Sequence, residues 1–167
     1  MAEGSEAPLM DRQTERDAMA ITEFCIRDIV CSPRDTSVVD AAALMRHHHV
    51  GNVIVVDQNG GKRVPVGIVT DRDIVVEVVA AGLDPKLIKV GDLVLQPLTT
   101  IKESAGYAET VRLMSIKGIR RMPVVDAAGC LVGIITLDDM LRQLAGPLAA
   151  LSELAGRGRR YETLTKV

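Results

Sequence analysis

The sequence predicts an α/β (α+β) protein built from two copies of one small unit. Three observations carry this. Gly67-Ile68-Val69-Thr70-Asp71-Arg72-Asp73-Ile74 recurs 66 residues later as Gly133-Ile134-Ile135-Thr136-Leu137-Asp138-Asp139-Met140. Upstream, Val53-Ile54-Val55-Val56-Asp57 aligns with Met122-Pro123-Val124-Val125-Asp126, and Leu44-Met45 with Leu113-Met114, each 69 residues apart. Between these matches, short β-branched runs alternate with stretches of helical periodicity, so the repeating unit mixes strands and helices.

The elements follow in order within each copy. A short extended segment leads (29–31 and 98–101). A helix follows: 38–45 in copy one, with Thr36 or Ser37 as N-cap, and 108–117 in copy two, where Ala108, Val111, Leu113, Met114 and Ile116 recur at helical spacing. Two apolar runs separated by a polar glycine turn then read as a hairpin with strands of about four residues (53–56 with 66–69; 124–125 with 132–135). The offset falls from 69 to 66 across this turn. Copy one therefore carries three extra residues in Gln58-Asn59-Gly60-Gly61-Lys62-Arg63, where a flexible loop absorbs them at little cost. The last strand feeds a helix, 74–81 in copy one and 140–144 and beyond in copy two. Gly82 and Asp84-Pro85 stop the first of these.

The organisation that results is a polar N-terminal extension (1–20, a loose tail or accessory helix), a first repeat (21–85), a second repeat (86–147), and a helix end with a basic tail (148–167). Gly156-Arg157-Gly158-Arg159-Arg160 is expected to be a flexible end. Neither unit is large enough to bury a good core alone, so the two are expected to pack across an approximate two-fold axis.

Composition narrows the function. Of 167 residues, one is Phe, two are Tyr and none is Trp, so the core must be aliphatic. Single-stranded nucleic acid binders and RNA-recognition sheets stack bases on aromatic rings, and this chain lacks them. A formal net charge of −2 supplies no global basic field for DNA. No apolar run approaches the roughly 18 residues of a membrane span. The first ten residues carry Glu3 and Glu6 and lack the order of a signal peptide. Cys25, Cys31 and Cys130 form no CxxC pair, which suits reduced thiols and a cytoplasmic protein. No GxxxxGK[ST], HExxH or GxSxG motif is present; Val56 stands where Gly60-Gly61-Lys62 would need its first loop glycine. No catalytic residue, metal site or required cofactor is therefore expected.

The repeated segments resemble a tandem pair of CBS domains (the cystathionine β-synthase domain, paired as a Bateman module). Pro33-Arg34-Asp35-Thr36-Ser37, Leu44-Met45, Val55-Val56-Asp57 and the octapeptide from Gly67 carry the resemblance in copy one. Arg121-Met122-Pro123-Val124-Val125-Asp126 and the octapeptide from Gly133 carry it in copy two. It covers about residues 24–145. It implies two βαββα repeats packed across a pseudo-two-fold, with clefts that bind AMP, ADP or ATP, and in some members NADH or S-adenosylmethionine. It also implies a disk-shaped homodimer and a regulatory role without catalysis. Because no effector domain is recognisable in the sequence, the regulated partner is expected to be a separate protein.

The resemblance places ligand contacts on Thr70 and Asp73 and on Thr136 and Asp139. A carboxylate can accept both ribose hydroxyls, and a hydroxyl beside free N–H groups at a helix start suits a phosphate. The same Thr-x-x-Asp is also a capping box, with Thr at the N-cap and an acid three residues on. The two roles are compatible. The resemblance further places the adenine edge against the start of the hairpin strand: Val50, Asn52 and Ile54 in copy one, and Ile119, Arg120, Arg121, Met122 and Pro123 in copy two. Arg120-Arg121 stands opposite Gly51-Asn52, so phosphate charge would be met mainly from copy two, in either cleft because an arginine of one copy could reach a ligand held by the other, unless the pair is merely solvated. Without a Trp or Phe shelf, adenine would lie between aliphatic groups such as Val50, Ile54, Ile119 and Met122, with modest affinity.

His47-His48-His49 invites a metal reading. Consecutive helical residues diverge by about 100°, so three in a row cannot converge on one ion as an i, i+4 pair can. A polar helix end, or one imidazole beside a phosphate, are the other readings. Two further functional classes stay open: a dimerising interaction module without a ligand, and a nucleotide hydrolase or transferase.

Overall fold

The computed structural model describes residues 20–164, with side chains described through residue 155. The N-terminal extension expected over residues 1–20 thus lies outside the described residues, except for Ala20.

Each repeat is a three-stranded mixed sheet with helices. In the first, β1 (Cys31–Ser32) runs parallel to β2 (Asn52–Asn59), which pairs antiparallel with β3 (Lys62–Thr70). The second repeats this with β4 (Ile101–Lys102), β5 (Arg121–Val125) and β6 (Leu131–Thr136). Helix α1 (Val38–His48) and its counterpart α3 (Tyr107–Lys117) make the parallel crossovers. Of the two candidate caps for α1, Ser37 is used: its Oγ accepts from the Asp40 amide at 3.1 Å. The helix ends on His49, which holds φ +54° where the second repeat has Gly118 at φ +63°. A left-handed C-terminal residue is the ordinary way to end a helix, and histidine tolerates it better than most non-glycine residues. The histidine run is therefore a helix end. The His47 and His48 rings meet edge-on with centroids 4.9 Å apart. Among the described residues no three His, Cys, Asp or Glu side chains gather to hold a metal.

The hairpins are longer than the four residues expected, eight and nine in the first repeat and five and six in the second. In the first, the ladder runs down to Asn59 opposite Lys62, so Gly60 and Gly61 form a two-residue turn with φ +57° and +80°. Such a turn matches strand twist, and the extra residues extend the ladder instead of looping out. In the second, Asp126 folds the turn, accepting from the amides of Ala128 at 2.9 Å and Cys130 at 2.8 Å. Both hairpins bulge at the same place, between Val55 and Val56 and between Val124 and Val125.

The helix after β3 begins earlier than expected, as α2 (Asp71–Asp73), and widens into a π-helix over Ile74–Val79. Five of these six π residues are β-branched, and such side chains crowd the preceding turn of an α-helix. The chain then turns at Gly82, φ +68°. Helix α4 (Leu137–Leu164) follows β6 and carries Pro147 inside it. Its backbone continues through 156–160, so that stretch is helical where a flexible end was expected. Alanine and leucine dominate the preceding turns, and both favour helix.

Three buried clusters hold the fold. One is the second repeat's core, with Ile101, Met114, Met122, Val124, Ile135 and Met140. Another is the first repeat's, with Ala41, Met45, Val53, Val55 and Val69. The third joins the sheets through Ile54, Val56, Leu131 and Ile134. The lead-in segments are exchanged between repeats. Ile21, Phe24 and Cys25 pack into the second core, and Ile26 exchanges two 2.9 Å hydrogen bonds with Ile134. Reciprocally, Val90, Leu93 and Val94 pack into the first core, where Ile88 and Thr36 carbonyls accept from Val38 and Val90. The repeats are thereby tied together at both ends.

Candidate functional site

The strand starts and the threonine motifs converge because the ladder register puts them side by side. Asn52 lies directly across from Thr70, and Arg121 directly across from Thr136. Directly opposed residues of an antiparallel pair point to the same face. Asn52 and Arg121 are themselves equivalent positions of the two repeats. They meet across the pseudo-two-fold, where Arg121 Nη1 donates to Asn52 Oδ1 at 2.7 Å. The guanidinium of repeat two is thus anchored on the residue facing Thr70.

Both Thr-x-x-Asp motifs form complete capping boxes. Thr70 donates from its backbone N (2.8 Å) and Oγ1 (2.7 Å) to Asp73 Oδ2, and its Oγ1 accepts from the Asp73 amide at 3.2 Å. Thr136 repeats this on Asp139 at 3.0, 2.5 and 3.3 Å. The local structural role weighed in the sequence is therefore realised twice. A phosphate would find the hydroxyl proton already engaged and would have to turn it outward. The first helix turn in repeat one is occupied as well. The Asp71 amide donates to Gly51 O at 3.2 Å, and the Arg72 amide to Asp71 Oδ1 at 2.8 Å.

The carboxylates differ. Asp139 is 4% exposed, and its Oδ1 is held by Arg142 Nη1 at 3.0 Å. Asp73 is half-buried, and its Oδ1 accepts no hydrogen bond from any described residue. Valine stands at position 76, the counterpart of Arg142. Arg142 escaped the sequence reading because it lies two residues beyond the repeated octapeptide; extending the comparison of the copies by two positions would have set it against Val76.

The other expected residues divide by burial. Val50, Asn52, Ile119 and Arg121 are half-buried beside the motifs, and Arg120 is exposed. Ile54 and Met122 have no exposed surface, and Pro123 is buried. Ile54 sits in the seam between the sheets and Met122 in the second core. As they stand, neither side chain offers a face to a ligand. Ile119 instead lines an open apolar groove of about 280 Å³ with Val111, Met114, Ser115, Gly118, Leu137 and Met140.

All three cysteines are free. Burial pushes the Cys25 and Cys31 thiols above the usual range, opposed only in part by Arg27 and Arg63 respectively. The thiolate is the reactive species, so a raised pKa leaves less of it at pH 8. Native protein should therefore be alkylated at Cys25 and Cys31 more slowly than urea-unfolded protein. Raising the pH through 9 should narrow the gap, read site by site in peptide mass spectra. Equal rates at pH 8 would contradict the burial argument.

No described helix is long and apolar enough to cross a membrane. The CBS domain family model matches residues 21–80 and 90–146. An uncharacterized protein of Methanopyrus kandleri is 38% identical over 125 residues, which span 75% of this chain and 62% of that one. The hexameric CBS-CP12 protein from bloom-forming cyanobacteria is similar in structure, with TM-score 0.65 and 31% identity over 74% of this chain and 67% of that one. The CBS domain pair of protein MJ0100, solved with 5′-methylthioadenosine and S-adenosyl-L-methionine, shares the fold at TM-score 0.64 and 23% identity, covering 76% of this chain and all of that one. Two βαββ units, each ending in a threonine-capped helix and joined through equivalent strand starts, are matched at both copies by one family model: the chain belongs to the CBS domain family, as a tandem pair.

Proposed function

We propose that this CBS pair is a regulatory module that binds an adenosyl ligand of the AMP, ADP or ATP class between its repeats and passes the ligand state to a separate partner protein. NADH and S-adenosylmethionine are the related candidates. The observation that carries the reading is the convergence at the pseudo-two-fold. Two Thr-x-x-Asp motifs flank the Asn52–Arg121 hydrogen bond, so carboxylate acceptors for ribose hydroxyls lie beside a guanidinium that can meet phosphate. The adenosyl ligands of the MJ0100 pair support the ligand class. A ligand signals only if it binds one state of the module more tightly than another. The cap hydrogen bonds, which a ligand would have to rearrange, provide such a difference.

Titration calorimetry with AMP, ATP, NADH and S-adenosylmethionine tests the reading. Binding of at least one is expected, and Asp73→Ala together with Asp139→Ala should weaken it tenfold or more, about 1.5–3 kcal/mol of charge-assisted bonding. Wild-type protein that binds none of them at millimolar concentration would sink the proposal and favour an interaction module. Release of phosphate from ATP would favour an enzyme.

The module also acts, in this reading, as a homodimer. The helices that follow the two hairpins leave Val75 57%, Val79 64% and Leu141 54% exposed, and Leu137 at the start of the second lines the apolar groove. Large exposed apolar side chains on both helices support an association surface there. Light scattering should give twice the chain mass, and Leu141→Glu should shift it toward the monomer. An unchanged mass for that variant would place the interface elsewhere.

A further inference from the structure

We propose that the two carboxylates are not equivalent, and that Arg142 latches the second cleft so that one adenosyl ligand binds tightly per chain, at Asp73. This rests on the adenosyl reading above. Each aspartate spends Oδ2 on its own threonine, through the backbone N and Oγ1. Only Oδ1 remains to accept ribose hydroxyls. In repeat one Oδ1 of Asp73 accepts nothing from a described residue, and the carboxylate is half-buried. In repeat two Oδ1 of Asp139 is paired with Arg142 Nη1 at 3.0 Å, and the carboxylate is 4% exposed. A ribose diol arriving there must first displace a cation that neutralises the acceptor it needs.

The asymmetry is built into the sequence. Arg142 lies three residues after Asp139, one helical turn on, where the pair faces each other along the helix. The same position in repeat one is Val76, which is 45% exposed and cannot pair with a carboxylate. Arg121 reinforces the bias. Its backbone belongs to repeat two, but its guanidinium is held by Asn52, directly across from Thr70. The free acceptor and the anchored cation therefore lie on the same side, that of repeat one. Arg142 is a positioning residue: it acts through Asp139 and is itself largely exposed, so its replacement leaves the core untouched.

The test is binding stoichiometry measured by calorimetry with AMP on the full chain. Wild type should show one tight event per chain, and Asp73→Ala should weaken it about tenfold or more. Arg142→Ala should open a second event of comparable affinity. Arg142→Lys, which keeps a cation, should return the protein to one event. Arg142→Ala combined with Asp139→Ala should also remove the second event, tying it to that carboxylate. Two equal events in wild type, or a single event in Arg142→Ala, would overturn the latch while leaving the adenosyl reading intact. Wild type that binds no AMP, ATP, NADH or S-adenosylmethionine overturns both.

Discussion

Replacing Gly67 with alanine should destabilise the protein by about 1–3 kcal/mol or more, the cost of forcing an extra methyl into a filled core. Gly67 lies in β3 opposite the bulge at Val55. An alanine methyl there would collide with Val94 Cγ2 and stand 2.7 Å from its Cγ1. The φ of Gly67 lies outside the left-handed region, so alanine costs nothing in backbone conformation and the effect is one of contact. The colliding residue comes from the lead-in of the other repeat. Val94→Ala removes both colliding methyl carbons and leaves the Cβ at 3.1 Å. Alone it should lose part of a side chain's burial, roughly 1 kcal/mol. Combined with Gly67→Ala it should be partly compensating, so the double variant is more stable than the sum of the singles predicts by about 1 kcal/mol or more. Urea unfolding of the four proteins measures this. Additive singles would mean that the segment around Val94 moves away freely and that the lead-in is only loosely held.

That contact also shows what the sequence could and could not convey. The glycine of each octapeptide reads there as a strand residue, and its reason is spatial. Gly133, its counterpart, would meet Cys25 Sγ at 2.8 Å and Ile26 O at 3.2 Å. In both repeats the glycine makes room for a segment that precedes the other repeat. Periodicity reports which face of an element is buried, but not which neighbour covers it. The duplicated octapeptide and the upstream matches carry the two-fold architecture, the order of elements and the hairpins; the parallel pairing of each lead strand with its hairpin does not follow from them. The exchange of lead-ins is not legible: Ile21-Thr22-Glu23-Phe24-Cys25 and Val90-Gly91-Asp92-Leu93-Val94 share an apolar–x–acidic–apolar–apolar pattern that marks them as equivalent, but the pattern does not say which repeat's core each one covers.

The same limit explains the site. Thr70, Asp73, Thr136 and Asp139 were legible because a polar pair at a fixed spacing interrupts an apolar run twice. Ile54 and Met122 stand beside Asn52 and Arg121 in sequence, yet neither lines the cleft: Met122, one residue from Arg121, is turned by strand alternation to the far face and into the second core, while Ile54, two residues from Asn52, shares its face but is buried in the seam between the sheets. Asn52 and Arg121, two residues from Ile54 and one from Met122, remain at the cleft, and no spacing rule relates one repeat's side chain to the other's. The scarcity of aromatic rings has a structural side too. Phe24 and Tyr107 pack on each other in the second core, with centroids 6.3 Å apart, so neither serves as a shelf for a purine.

Ile21→Ala should cost about 2–5 kcal/mol, as deletion of a fully buried aliphatic side chain does. By sequence position Ile21 is the first residue of repeat one, next to an extension, where a substitution would be expected to shift stability by no more than about 0.5 kcal/mol. By structure it has no exposed surface, donates its amide to Ala105 O at 3.0 Å, and lies in the core of repeat two with Met122, Ile135 and Met140. Chemical unfolding should therefore show a lower midpoint with the same denaturant slope. Hydrogen exchange should show the loss spread over β5 and β6 as well as β2 and β3, because Ile54, Val56, Leu131 and Ile134 join the sheets in one cluster. Two of the residues that Ile21 packs among are chain neighbours of site residues: Met122 follows Arg121 and Met140 follows Asp139. The Thr136 and Asp139 amides of the second capping box should accordingly lose protection before those of Thr70 and Asp73 do. A shift below 0.5 kcal/mol would mean that the lead-in is not part of the second core, and the exchange that ties the repeats together would fall with it.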